Sequence, residues 1–191
     1  MASSTQKTLT DAITEIMKIP EPKNILDIGM GFGKWGFLCR EYLEGWRSRV
    51  EPHTWKIIID SIEIWEPFTK LPWNKIMYNN IYLGDAHGVI DKLEDYDLII
   101  ASDVIEHLEK EKATKLLESC IKKAKTMFML NIPLGKGWLN NVIVDGNIYN
   151  KHLSSWELEE IEAFAKKYNR TLKTYIWQGV RGAGVLAIFK K

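Results

Sequence analysis

The run Ile25-Leu26-Asp27-Ile28-Gly29-Met30-Gly31-Phe32-Gly33 constrains the fold more than any other stretch of this chain. Asn24 to Ile28 reads as a short buried strand, and the glycines after it let the chain turn sharply. They also let a ligand approach the main chain and a helix pack close to the sheet. The next segment, Lys34 to Leu43, carries Trp35, Leu38 and Tyr42 at helical spacing. Strand, glycine turn and helix in that order open a nucleotide-type crossover unit, whose ligands bind beyond the carboxyl ends of the strands. Asp27 sits at the strand end, just before Gly29. A carboxylate there repels a pyrophosphate and favours an ammonium group or a ligand hydroxyl. A literal GxGxxG does occur at Gly31, Gly33 and Gly36, but out of register, because Gly31 is not the first glycine after the strand. The acidic end of the second strand, Glu63, also lies well beyond the ~20-residue offset of the dinucleotide fingerprint. The pattern points to a ligand with a cationic tail; the bland alternative is a structural turn.

The rest of the chain alternates between strand and helix signals. Leu9, Ile13, Ile16 and Met17 predict an N-terminal amphipathic helix over about 7–19, ended by Pro20 and Pro22. Strands are expected at Lys56 to Ile64, Asn80 to Leu83, Asp97 to Ser102, Thr126 to Ile132, Thr171 to Trp177 and Val185 to Phe189. Helices are expected at Ala86 to Leu93, at Leu108 to Ala124, and from a Ser154/Glu157 capping box to about Tyr168. The glycines between Gln178 and Gly184 read as a hairpin link. This order predicts an α/β fold: a doubly wound, mainly parallel seven-stranded sheet closed by a C-terminal antiparallel hairpin. At 191 residues the chain makes one domain, 1–191. Residues 133–151 lack periodicity, and a loop this long is expected to form a lid or acceptor-binding segment.

Composition removes several function classes. Lys plus Arg is 26 and Asp plus Glu is 25, so the net charge of +1 supplies no basic field for nucleic acid. The longest apolar runs, such as Met127 to Leu130, fall far short of the ~20 residues that a membrane helix needs. Met1 to Gln6 is polar and lacks the apolar stretch of a signal peptide. Cys39 and Cys120 form no CxxC and read as small buried hydrophobes. A cytoplasmic protein is expected.

Asp27-x-Gly29-x-Gly31-x-Gly33 resembles the first motif of class I S-adenosylmethionine-dependent methyltransferases. Asp97 to Leu108, which ends Val104-Ile105-Glu106-His107-Leu108, resembles the fourth-strand region of that superfamily. The resemblance runs from about Asn24 to the C-terminus and implies a Rossmann-like methyltransferase fold. It implies S-adenosylmethionine as cofactor and S-adenosylhomocysteine as product. Asp27, Gly29, Gly31 and Gly33 would surround the methionine moiety. Glu63, or its neighbour Glu66, would accept from the ribose hydroxyls. Ile64 or Trp65 would pack on the adenine, whose amino group would meet Asp85 and Ala86. Ser102 and Asp103 would flank the transferring methyl group.

Beyond the cofactor, His107 is the candidate base by its chemistry and its place after the fourth strand. Asp103, Glu106 and His107 share one face if that segment is helical, a donor set for Mg²⁺ or a transition metal, with His152 approaching in space. Trp138, Tyr149 and Trp156 are candidate lid aromatics, with Trp138, Tyr149 and His152 facing the acceptor; Trp35 is placed to cover the cofactor tail. The preferred acceptor is a small molecule or saccharide, methylated at oxygen. The alternatives are RNA methylation and a non-catalytic module of the same fold.

Overall fold

The computed structural model describes residues 6–140, 143, 146–179 and 181–191. The polar terminus 1–5, part of the loop 133–151 and Val180 in the hairpin link lie outside the described residues. Five strands run parallel: β1 (Asn24–Ile28), β2 (Ile58–Glu63), β3 (Asn80–Leu83), β4 (Tyr96–Ser102) and β5 (Ala124–Pro133). The last two, β6 (Thr171–Gly179) and β7 (Gly182–Lys190), pair antiparallel, and β7 is also antiparallel to β5. The order across the seven-stranded sheet is β3-β2-β1-β4-β5-β7-β6. The expected doubly wound architecture is therefore present, with the short helices α3 (Glu66–Thr69) and α4 (Pro72–Met77) between β2 and β3, and α5 (Ala86–Val89) between β3 and β4.

Two-residue strand periodicity divides the core into two layers. Leu26, Ile28, Ile99, Ala101, Phe128 and Leu130 face α6 (Lys110–Lys123) and α7 (Leu158–Lys167). Ile25, Ile59, Leu98, Ile100 and Met129 face α1 (Gln6–Ile16) and α2 (Lys34–Cys39). Central strands covered on both faces read as continuous apolar runs, which is why they are so visible in the sequence. Cys39 and Cys120 are buried free thiols, one in each layer.

Three local expectations are corrected. The N-terminal helix ends at Ile16, before the expected 19, in a turn that leads to Pro20. The capping box of α7 is formed by Glu157 and Glu160, not by Ser154 and Glu157. Ser154 is engaged elsewhere: its hydroxyl donates to the Ile105 carbonyl (3.1 Å) and accepts from Trp156 Nε1 (3.1 Å). The hairpin strands run on into the glycines read as a link. Gly184 pairs inside β7 because the Trp177 indole lies against it; a Cβ there would come within 2.0 Å of the ring.

The N-terminal helix is held to the far edge of the sheet by one carboxylate. Glu15, wholly buried, accepts from Lys18 (2.6 Å), Lys173 (2.8 Å), Lys190 (2.6 Å) and Tyr175 (2.7 Å). Burial alone would raise its pKa, but these donors together hold it far below its usual value of 4.5. Glu15→Gln is expected to cost about 1–3 kcal/mol in urea unfolding at neutral pH. In the wild type this contribution is complete above the usual carboxylate pKa and lost as pH falls below it. The gap between the two proteins should therefore narrow from about pH 7 to about pH 3.

Candidate active site

A cavity of about 260 Å³ opens beyond the carboxyl ends of β1 to β4. Its wall includes Gly29 and Gly31 from the glycine loop, Glu63 and Ile64 from the end of β2, and Asp85 and Ala86 after β3. Ser102 ends β4, Asp103 and His107 follow it, and Asn147, Tyr149 and Asn150 arrive from the 133–151 loop.

Side chains distant in sequence hold the glycine loop open. Glu63 accepts from the Gly31 amide (3.0 Å) and from Trp65 N (2.8 Å). From α4 (Pro72–Met77), Asn74 donates to the carbonyls of Gly31 (3.0 Å) and Phe68 (2.9 Å), and Trp73 Nε1 donates to the Phe32 carbonyl (2.9 Å). Tyr78 completes the set: its hydroxyl accepts from Gly36 N (3.1 Å) and donates to Asp27 Oδ2 (2.5 Å). Gly36 is required by this contact, since a Cβ there would lie 2.5 Å from the Tyr78 ring. The out-of-register third glycine thus admits a tyrosine, not a phosphate. No spacing rule pointed to Asn74 or Tyr78, which lie between the expected strands Lys56 to Ile64 and Asn80 to Leu83.

Asp27 and Gly33 are not on the cavity wall. Asp27 is buried behind the glycine turn with Oδ1 unpartnered. Burial raises its pKa to about 7, against the opposing hydrogen bond from Tyr78 and the charge of Lys34. Glu63 is raised chiefly by burial too, opposed by the amides of Trp65, Gly31 and Ile64. Glu66 is excluded from the wall: it is exposed and pairs with Lys70 across one helical turn (3.0 Å). Ile64 rather than Trp65 lines the cavity; the Trp65 ring instead meets Tyr149 edge-on, with centroids 6.3 Å apart. Trp35 lines the wall, and its buried Nε1 has no partner.

After β4 the chain turns at Asp103, a left-handed non-glycine residue (φ 59°) of the kind that marks functional turns. Ser102 Oγ (3.1 Å) and Asn131 Nδ2 (3.2 Å) donate to its carboxylate. A single 3-10 turn, Ile105–His107, follows in place of a continuous helix. The expected face of Asp103, Glu106 and His107 therefore does not form. Glu106 and His107 are joined instead by His152, whose ring packs edge-on against His107 at 4.8 Å. Burial lowers the pKa of His107, with a hydrogen bond to the Lys151 carbonyl opposing it. Burial and then the charge of His107 lower that of His152 to about 4, so both rings are neutral at pH 7.

Of the three candidate lid aromatics, Tyr149 lines the cavity and the two tryptophans do not. Trp156 is fully buried in the core under α7. Trp138 packs on Trp177 (5.8 Å between centroids) and donates to the Ala183 carbonyl (3.1 Å), so it braces the hairpin. His152 lies behind His107 and off the wall.

No protein-family model and no curated protein matches this sequence. Solved structures match it by shape, and they give it the fold of the class I S-adenosylmethionine-dependent methyltransferases. A SAM-dependent methyltransferase from Archaeoglobus fulgidus is 19% identical, covers 98% of this chain and 95% of its own, and has a TM-score of 0.68. Magnesium protoporphyrin IX methyltransferase from Synechocystis PCC 6803, solved with bound SAM, is 12% identical over 97% of this chain and 77% of its own (TM-score 0.64). The N-terminal domain of EvdMO1, solved in the presence of SAH and D-fucose, is 12% identical over 99% and 84% (TM-score 0.65).

The raised Asp27 carboxyl makes a signed prediction. The folded state holds its proton where the unfolded chain has lost it, so this site destabilises the fold increasingly as pH rises from its usual value near 3.8 towards about 7. Asp27→Asn, which stays neutral, should gain thermal midpoint relative to wild type between about pH 5 and about pH 8. A difference that is flat with pH would show that Asp27 is already ionised in the folded protein.

Proposed function

We propose that this chain transfers the methyl group of S-adenosylmethionine to an oxygen atom of a small-molecule or saccharide acceptor, releasing S-adenosylhomocysteine. The observation that carries this reading is the charge pattern of the cavity. Glu63, Asp85 and Asp103 stand at the ends of β2, β3 and β4, against one ammonium group, Lys34, among the described wall residues. Such a wall suits hydroxyls, an exocyclic amine and a cationic centre, and it opposes a diphosphate.

The residues fit the cofactor group by group. Each Glu63 oxygen keeps a lone pair beyond its backbone bond, enough for two ribose hydroxyls. Asp85 and Ala86 suit the adenine edge, with Ile64 against its face. Asp103 suits the ammonium group, and the unpartnered Trp35 Nε1 offers a donor to the carboxylate. Gly29 and Gly31 let that end lie against the main chain. Asp27 and Gly33 serve indirectly, the one by holding Tyr78 under the loop, the other by making room for Asn74. When bound, the sulfonium supplies the reactive methyl group.

The protein's own share is placement and dehydration, and near-attack positioning supplies ~7–11 kcal/mol in such reactions. Phe32, Phe68 and Tyr149 form apolar wall that excludes water. His107 is neutral, and its Nδ1 can only donate to the Lys151 carbonyl, so Nε2 carries the lone pair that receives an acceptor proton. Among the described residues no helix is long and apolar enough to cross a membrane. A cytoplasmic setting suits the two free thiols.

Titration calorimetry tests the reading. Wild-type protein should bind S-adenosylmethionine and S-adenosylhomocysteine and not NAD. Asp85→Ala, which leaves the Glu63 clamp in place, should weaken both about 10-fold to 100-fold, the worth of a hydrogen bond to a charged group. Binding of NAD with no response to either sulfur ligand sinks the proposal.

A further inference from the structure

We propose that Glu106, His107 and His152 form a binding site for one divalent transition-metal ion at the acceptor edge of the cavity. The three side chains offer ligand atoms that all lie within 4.8 Å of one another. Glu106 is 1% exposed, and neither of its carboxylate oxygens has a hydrogen-bond partner. A buried carboxylate without a donor is costly unless a cation or a proton meets it. Asp103 lies close enough to add to the negative field there.

Both imidazoles are turned to present a lone pair. The Lys151 carbonyl can only accept, so His107 Nδ1 carries the proton at 3.1 Å and Nε2 is left bare. His152 Nδ1 is buried without a hydrogen-bond partner. Main-chain bonds hold the two segments in register: Leu153 N (2.8 Å) and Ser154 N (3.1 Å) both donate to the Glu106 carbonyl. The ligands need close by only about 1 Å to surround an ion with bonds of ~2.1 Å.

One carboxylate and two imidazoles suit Zn²⁺, Co²⁺ or Mn²⁺, whereas Mg²⁺ and Ca²⁺ prefer all-oxygen shells. Three protein ligands would leave room for a further ligand on the ion, and His107 also lines the cavity. With an ion bound, His107 Nε2 would serve as a ligand rather than a base, and the ion would supply the Lewis acidity for an acceptor hydroxyl. That last role rests on the methyltransferase reading; the metal site does not.

The test uses the full chain, freed of metal by a chelator and with no cofactor present. Co²⁺ titrated alone should give a saturable visible absorption at one equivalent, and Zn²⁺ should raise the thermal midpoint by linkage, while Mg²⁺ and Ca²⁺ do neither. Glu106→Gln and His152→Ala should each weaken Co²⁺ binding at least about 10-fold, with the far-ultraviolet circular dichroism of the wild type. His152 lies on a half-exposed loop, so its variant reports even if the buried Glu106 substitution fails to fold. Absence of Co²⁺ and Zn²⁺ binding to the wild type, or undiminished binding by His152→Ala, overturns the proposal. Either result leaves the calorimetric test with S-adenosylmethionine untouched.

Discussion

The cavity exists because a glycine-rich segment is prevented from collapsing. Glycines lose the most conformational freedom on folding, so a loop built from them takes a defined shape only when other groups impose it. Glu63 takes the Gly31 amide, Asn74 binds the Gly31 carbonyl, and Tyr78 reaches under Gly36. These clamps come from β2 and from the segment just before β3, on one side of β1. The short helices between those strands therefore serve as a support for the loop. The same carboxylate that shapes the loop also faces the cavity, so the loop's conformation and the site's charge cannot be altered separately at Glu63.

Acidic groups are layered around this loop. Glu63, Asp85 and Asp103 face the cavity, while Asp27 lies one shell behind it. The buried Asp27–Tyr78 pair resembles a structural hydrogen bond more than a ligand contact, and its strength depends on the protonation state of the carboxyl. The electrostatic preference of the pocket consequently belongs to the strand ends as a set.

Much of the architecture was legible because parallel strands covered on both faces leave unbroken apolar runs, and β1, β4 and β5 are of this kind. That Glu63, Asp85 and Asp103 border the cavity was legible because they sit at or just past strand ends, where open α/β sheets form their crevice. The indirect role of Asp27 was not, because its partner Tyr78 lies 51 residues away. Nor could composition tell a lid tryptophan from a core one: Trp138 and Trp156 are settled by what lies across from them. Glycine is ambiguous in the same way. Gly184 read as a turn and proved to be a place where a side chain needs room. The face that Asp103 would share with Glu106 and His107 in a helix is absent because a 3-10 turn follows β4 and the Asp103 carboxylate is taken by Asn131 and Ser102.

The crossing from β5 to α7 is tethered at both feet by main-chain bonds. Leu134 N bonds to the Ala183 carbonyl (2.9 Å) and Gly135 N to the Trp156 carbonyl (2.8 Å), while Leu153 and Ser154 return to Glu106. None of these anchors depends on the identity of the side chains strung between them. Apart from Trp138, which is built into the hairpin, the span therefore works as a cassette: its side chains set the shape offered to incoming molecules, while its ends are fixed to the fold through the main chain.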